Sequence, residues 1–289
     1  MLDIVICDVR LGQSILFYPH ENPERYSMMV DCGHDQDFHP IDLFINLNAF
    51  KKNWAGKYEI GNLVITNYDH DHFDGLPYLL EKAVIKTAYF ANNLSTNDLI
   101  QMKDEMTPEL AALVDLRERF TGAVTDFTPS YSSEIFSLTA DELLAAGIEP
   151  TTNHLSQMIF VTAGKKVICI PGDLEKQSWN LMLKKERVRY LLQRTNIFFA
   201  SHHGRENGYH DAVFDYCFPD CIIISDKEVV HGTQQGMSSL YAKHVVGEGV
   251  SLETTSGLTT RKVLTTRKDG HLHIKLDVFG NVRYISPNW

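Results

Sequence analysis

Apolar residues are gathered into short runs along this chain, and the spacing within each run separates strands from helices. DIVIC (3–7), SILFY (14–18) and YSMMVD (26–31) are apolar or alternating, and the turn-rich stretches DVRLGQ and PHENPE divide them. They predict an antiparallel meander. IDLFINLNAF (41–50) has helical spacing instead, NLVIT (62–66) reads as a buried strand, and LPYLLEKA (76–83) opens the next helix. Residues 97–120 read as helical, with Pro108 in the first turn of a second segment. The stretch 121–152 has little pattern apart from TADELLAAG, where Thr139 and Glu142 suit a capping box and Gly147 a stop.

The second half repeats the theme. MIFVT (158–162) and KVICI (166–170) flank a turn at AGKK and predict a hairpin, and PGDLEKQSWNLML leads from it into a helix. NIFFA, running into Ser201, and CIIIS (221–225) are further strands. RKVLTT, a turn at RKDG, and HLHIKLDVFG close the sequence. Strands thus come in two groups, each followed by helices. This predicts an α/β fold of the αββα kind: two sheets face to face, helices on the outer faces, one domain over 1–289.

Composition narrows the setting. The 289 residues are 44% hydrophobic, enough for a sizeable core. No apolar run approaches the roughly 18–20 residues that span a bilayer, so no membrane contact is expected. MLDIVICDVR lacks a basic leader and is interrupted by Asp3 and Asp8, so it reads as a strand and not a signal peptide. The five cysteines, at 7, 32, 169, 217 and 221, form no CxxC and suit small buried hydrophobes in a reducing, cytoplasmic setting. A net charge of −10 opposes a broad nucleic-acid-coating face but not a nuclease, because bound cations offset carboxylates. The basic stretches 184–194 and 261–268 read as solvated faces.

Three stretches carry candidate chemistry, each just past an apolar strand. In TNYDHDHFDGL (66–76), alternation predicts that Asn67, Asp69 and Asp71 form one row, with His72 beside it. Carboxylate and imidazole suit zinc, manganese or iron, and crowded carboxylates call for a cation between them. The register His70-x-His72-x-Asp74 is rejected because it misplaces Gly75-Leu76. Gly172-Asp173 ends the second stretch; alone, that aspartate is no more than a helix cap. His202-His203-Gly204 ends the third. His154, in TTNHLSQ, reads alone as a surface or capping residue.

In order, these pieces resemble the motifs of the metallo-β-lactamase superfamily. More narrowly they are similar to the metallo-hydrolase domain of the ComEC-type competence proteins. DVRLGQSILF resembles that group's DVGQGDSILI, MVDCG its LVDGG, TNYDHDHFDGL its SHPDADHIGGL, and SHHGRENGY its PHHGS loop. TTNHLSQMIFVTAGKKVICIPGD resembles its paired strands ending in TGD, and the tail its closing strand pair. The likeness covers nearly the whole chain, least well over 85–150. The departures are Asn67 for the first histidine, Arg10, Leu11 and Gln13 in the opening loop, and Arg205 for a serine.

The resemblance implies two divalent ions, zinc or manganese, with magnesium possible. Asp71, His72 and His202 with Asp173 would hold one, His203 being the alternative to His202. Asp69 and Asp173, helped by Asn67 and His154, would hold the other. The oxygen-rich set shifts preference towards manganese or magnesium. Asp71 would take a proton from the attacking water. His231, where similar proteins place a histidine near the reacting centre, would stabilise the leaving group or be a plain loop residue. Arg10 and Arg205 beside the metals suit phosphate. The implied activity is a metal-dependent hydrolase, a phosphodiesterase or nuclease acting on nucleic acid or nucleotides. The other reading is a degenerate partner or sensor module in an operon-encoded, multi-protein system. A lactam, thioester or lactone hydrolase is a third.

Overall fold

The computed structural model describes residues 1–10, 12–91, 94–103, 105–120, 131–227, 234 and 236–287. In chain order its strands are β1 (Leu2–Ile6), β2 (Ile15–Pro19), β3 (Met28–Val30), β4 (Tyr58–Val64), β5 (Ala83–Tyr89), β6 (Ser132–Phe136), β7 (Met158–Ala163) and β8 (Lys166–Ile170). They continue as β9 (Thr195–Phe199), β10 (Cys221–Ile224), β11 (Val250–Thr254), β12 (Gly257–Arg261), β13 (Val263–Thr265), β14 (Leu272–Leu276) and β15 (Val282–Ile285). Nine form one sheet, in the order β12-β11-β15-β14-β1-β2-β3-β4-β5. Six form the other, in the order β13-β10-β9-β8-β7-β6.

Alternation along the strands explains the layers. Ile4, Ile6, Ile15, Phe17, Ile159, Val161, Ile168, Ile170, Ile197, Phe199 and Ile223 share one apolar cluster drawn from both sheets. Their neighbours Val5, Cys7, Leu16, Phe160, Cys169, Phe198 and Ile222 belong to a second cluster that also takes Leu110, Leu113, Trp179 and Leu191 from helices. A strand buried on both faces reads as a continuous apolar run, which is why KVICI and CIIIS stand out. The predicted αββα sandwich is the fold found. Among the described residues no helix is long and apolar enough to cross a membrane.

Local chemistry sets the helix ends. Thr139 and Glu142 do form a capping box on Ala140–Ala145. The stretch 97–120 divides into Thr96–Gln101 and Pro108–Arg119, the second capped by Thr107 with proline in its first turn. The expected pairing of the closing strands is not formed. Thr265 caps a short helix, Thr266–Asp269, and the strands on either side go to different sheets: β13 lies parallel to β10, β14 antiparallel to β1. The basic stretch 184–194 is paired with acids, Lys185 with Glu142 and Arg187 with Glu134. All five cysteines are free and buried.

Parallel pairing brings the site loops together. β3, β4 and β5 run parallel, as do β8, β9, β10 and β13. The loop after β4 meets the approach to β7 where the Gln157 N–H donates to the Thr66 carbonyl at 2.7 Å, and the loops after β8 and β9 meet where the His202 N–H donates to the Gly172 carbonyl at 3.1 Å. Two glycines let the β1–β2 and β3 loops close on the Asp71 backbone. Gly12 has φ +102, and a Cβ there would collide with the Asp71 carbonyl; at Gly33 a Cβ would lie 2.5 Å from the same oxygen. Gly33→Ala is therefore expected to lower unfolding free energy by about 1–3 kcal/mol in urea denaturation. An unchanged midpoint would show that this packing is not tight.

Candidate metal centre

The site begins with Asp31, just past β3 and without solvent exposure. Its carboxylate accepts from the Thr66 N–H and hydroxyl, both at 2.6 Å, from Gln13 Nε2 at 3.3 Å, and from His72 Nδ1 at 2.8 Å. That last bond makes Nδ1 the donor and turns Nε2 away from Asp31. A 3-10 turn over His70–His72 breaks the strand-like alternation and separates Asp71 from Asn67 and Asp69.

His72 Nε2 then lies 3.3 Å from Asp173 Oδ2. Asp173 is fixed from below by its own N–H, which donates to Ser156 Oγ at 3.2 Å. His203 arrives from the other sheet. Its Nδ1 donates to the Ser225 carbonyl at 3.1 Å, and its Nε2 lies 3.5 Å from Asp173 Oδ1 and 3.4 Å from Asp71 Oδ2. One ligand atom each from Asp71, His72 and His203 lies within 4.8 Å of the others. The Nε2 atoms of His72 and His203 are buried and make no hydrogen bond. Two imidazole nitrogens and two carboxylates gathered at one spot are a donor set that fits a divalent cation.

The charges hold one another. Burial alone would drive the His203 pKa down, but Asp173 and Asp71 carry it up to about 10. His72, opposed by burial in the same way, is raised well above its ordinary value by Asp173 and Asp31. Burial pushes the carboxyls of Asp71 and Asp173 up, yet the two histidines outweigh it and hold both below the usual range.

The other expected residues are arranged differently. Asn67 donates to Asn153 Oδ1 at 2.9 Å and Ser156 Oγ at 3.0 Å, and accepts from the Asp69 N–H at 2.6 Å. Asp69 Oδ1 takes Lys103 Nζ at 3.1 Å and the Thr152 hydroxyl at 2.7 Å. His154 Nδ1 bonds Ser178 Oγ at 2.8 Å. Of the paired histidines, His203 is the one in the cluster. His202 Nε2 lies farther off, 3.9 Å from Asp173, with Arg205 Nη1 at 3.2 Å. His70 faces outward, 3.5 Å from Glu109. Arg10, exposed and paired with Asp35 at 3.0 Å, borders a cleft of about 530 Å³ that Asp71, Asp74, His34 and Lys227 also line. Arg205 opens instead onto another cleft, of about 480 Å³, with Lys176. His231 lies outside the described residues.

Sequence reasoning missed Asp31, whose only signal is its place in MVDCG, and Lys103, which has none. It missed the Ser225 carbonyl as well, since any residue supplies that group.

No family model matches the sequence, and no curated protein matches it. Solved structures do resemble it. Unliganded yeast PDE1 aligns over 94% of this chain and 99% of its own, with TM-score 0.51 and 12% identity. The metallo-β-lactamase fold protein YhfI from Bacillus subtilis aligns over 98% and 100%, with TM-score 0.49 and 10% identity. Zn(2+)-bound PqqB from Methylobacterium extorquens aligns over 68% and 71%, with TM-score 0.41 and 14% identity. At such identities the likeness concerns the fold. The two-sheet sandwich described above is shared with yeast PDE1 at the level of the fold.

Two outcomes follow from the geometry. Asp31→Asn weakens the hold on His72 and is expected to cost roughly 10–100-fold in manganese or zinc affinity, read by titration, with the fold retained. Cation binding needs neutral imidazoles, and His203 keeps its proton up to about 10, so each ion bound near neutrality expels protons. Apparent affinity is expected to rise with pH between about 6 and 9, with proton release measured by calorimetry in buffers of different ionisation heat. A flat affinity would show that the imidazoles are already neutral.

Proposed function

We propose that this chain is a metal-dependent phosphodiesterase acting on nucleotides or nucleic acid, with Asp71, His72, Asp173 and His203 as the ion's ligands. One observation carries the metal part: two buried imidazole nitrogens, neither making a hydrogen bond of ordinary geometry, converge on Asp173, with Asp71 beside them. Buried polar groups ordinarily make full hydrogen bonds, and a ligand role accounts for both departures.

A bound divalent cation supplies positive charge at the attacked phosphoryl group and acidifies water. The chain supplies the rest. Asp31 and the Ser225 carbonyl hold the two rings in one tautomer each. Asp173 stands between the rings and keeps their spacing. Asp71 is the one member of the set with a partly exposed side chain, 29%, and it lines the cleft, so it is the group placed to take a proton from water. Arg10 and Lys227 on the cleft wall supply cationic groups for a phosphate. The scaffold likeness to yeast PDE1, a phosphodiesterase by name, is in keeping with this assignment.

Turnover of bis-nitrophenyl phosphate, single-stranded DNA, RNA and cyclic dinucleotides under manganese tests the proposal. Asp71→Asn is expected to lower kcat by roughly 10²–10⁴ on the accepted substrate. Asp173→Ala is expected to abolish both ion retention and activity. Ion binding without turnover of any phosphodiester would overturn the assignment, and failure to bind any ion would favour a partner or sensor module.

A further inference from the structure

We infer that the centre is built for a single divalent ion, and that the Lys103 ammonium stands where the fold's second cation would be. This rests on the metal assignment above and goes beyond it. The residues expected to hold a second ion are Asp69 and the shared Asp173, helped by Asn67 and His154, and Asn67 and Asp69 are committed elsewhere.

Asn67 has both amide hydrogens and its oxygen engaged: Asn153 and Ser156 accept, and the Asp69 N–H donates. His154 has Nδ1 on Ser178 Oγ, but it stands outside the grouping of Asp71, His72 and His203. Asp69 is the remaining charge, and Lys103 Nζ sits on its Oδ1 at 3.1 Å, beside the Thr152 hydroxyl. The Lys103 side chain is only 22% exposed, so the ammonium is packed into this contact and not waving over it. Among the described residues, the grouping with metal-ligand geometry is Asp71, His72 and His203; Asp173 stands against both of its rings, whereas Asp69 pairs with Lys103.

The physics favours the exchange. A carboxylate left without a cation to share is stabilised by a neighbouring positive charge. An ammonium supplies that charge without needing the ligand set that Asn67 no longer offers. It brings no Lewis acidity, so Lys103 acts as a positioning residue that holds the Asp69 arm of the loop while the ion sits on the Asp71 arm.

Metal content after saturation with manganese and removal of free ion, with zinc run in parallel, tests this on the whole chain. Wild type is expected to hold one equivalent. Two equivalents would overturn the inference and leave the hydrolase assignment standing; none would overturn both. Lys103→Met combined with Asn67→His removes the ammonium and returns an imidazole beside the freed Asp69, so content is expected to exceed one equivalent under excess manganese. A value fixed at one in the double variant would show that Lys103 substitutes for nothing. Asp69→Ala, which does not depend on the double variant folding, is expected to keep one ion with affinity close to wild type. A loss beyond about tenfold, the size of a lost ligand or its support, would make Asp69 part of the ion's cage and overturn the inference.

Discussion

Asp31 is a carboxylate with no contact to solvent, and the site depends on how that burial is satisfied. An isolated buried charge is costly, so it persists only with donors on every side. Here the donors are the Thr66 amide and hydroxyl, Gln13 and His72, from two separate loops. Satisfying one carboxylate therefore fixes the β1–β2 loop, the end of β3 and the loop after β4 relative to one another. The charges beyond it follow a simple balance. The carboxylates of Asp31, Asp71 and Asp173 against two imidazolium ions leave a net charge of −1, and so do the same three against one dication with neutral imidazoles. Exchanging two protons for one divalent ion thus changes the geometry of charge in the site but not its total.

The sandwich makes that arrangement rigid, and the strain it needs is confined to the same rim. Among the described residues six non-glycine positions have positive φ, and four of them, Arg10, Asp31, His202 and His203, belong to the site or its edge. A left-handed conformation costs a side-chain-bearing residue of order 1 kcal/mol or more, so it survives where surrounding contacts over-determine it. Consecutive left-handed residues at 202 and 203 are what send the two imidazoles apart. His203 turns to the carboxylates, while His202 turns to Arg205. A doubled histidine in one sequence thus becomes two different functional positions.

Sequence legibility followed the physics of burial. β7 to β10 were readable because both faces are covered and nearly every position is apolar. β5, β6, β11 and β12 were missed because exposed or half-exposed residues interrupt them, as in the alternation of Ala83 to Lys86. The closing strands misled because RKDG resembles a hairpin turn, while the Thr265 cap starts a helical turn that sends them to different sheets. At the site, Asp71, His72, Asp173 and the paired histidines stood out because type and order both point to them, but sequence favoured His202, and the cluster takes His203 because only the backbone turn decides between neighbours. The arrangement of Asn67 and Asp69 was not, because strand alternation was carried one residue too far into a 3-10 turn.

Asn67 and Lys103 are better understood together than apart. A neutral imidazole has one donor and one acceptor, and as a ligand it spends the acceptor on the ion. An amide has two donors and an oxygen. At position 67 it uses the donors to tie the loop to Asn153 and Ser156 in the approach to β7, and the oxygen to cap the Asp69 amide. That converts a ligand position into a brace between the two halves of the sandwich. The cost falls on Asp69, which keeps its charge but has lost the neighbour that would have shared a cation with it. Lys103 meets that cost from outside the motif. What looks in the sequence like an eroded motif plus an unremarkable lysine is, in the folded chain, one compensated change.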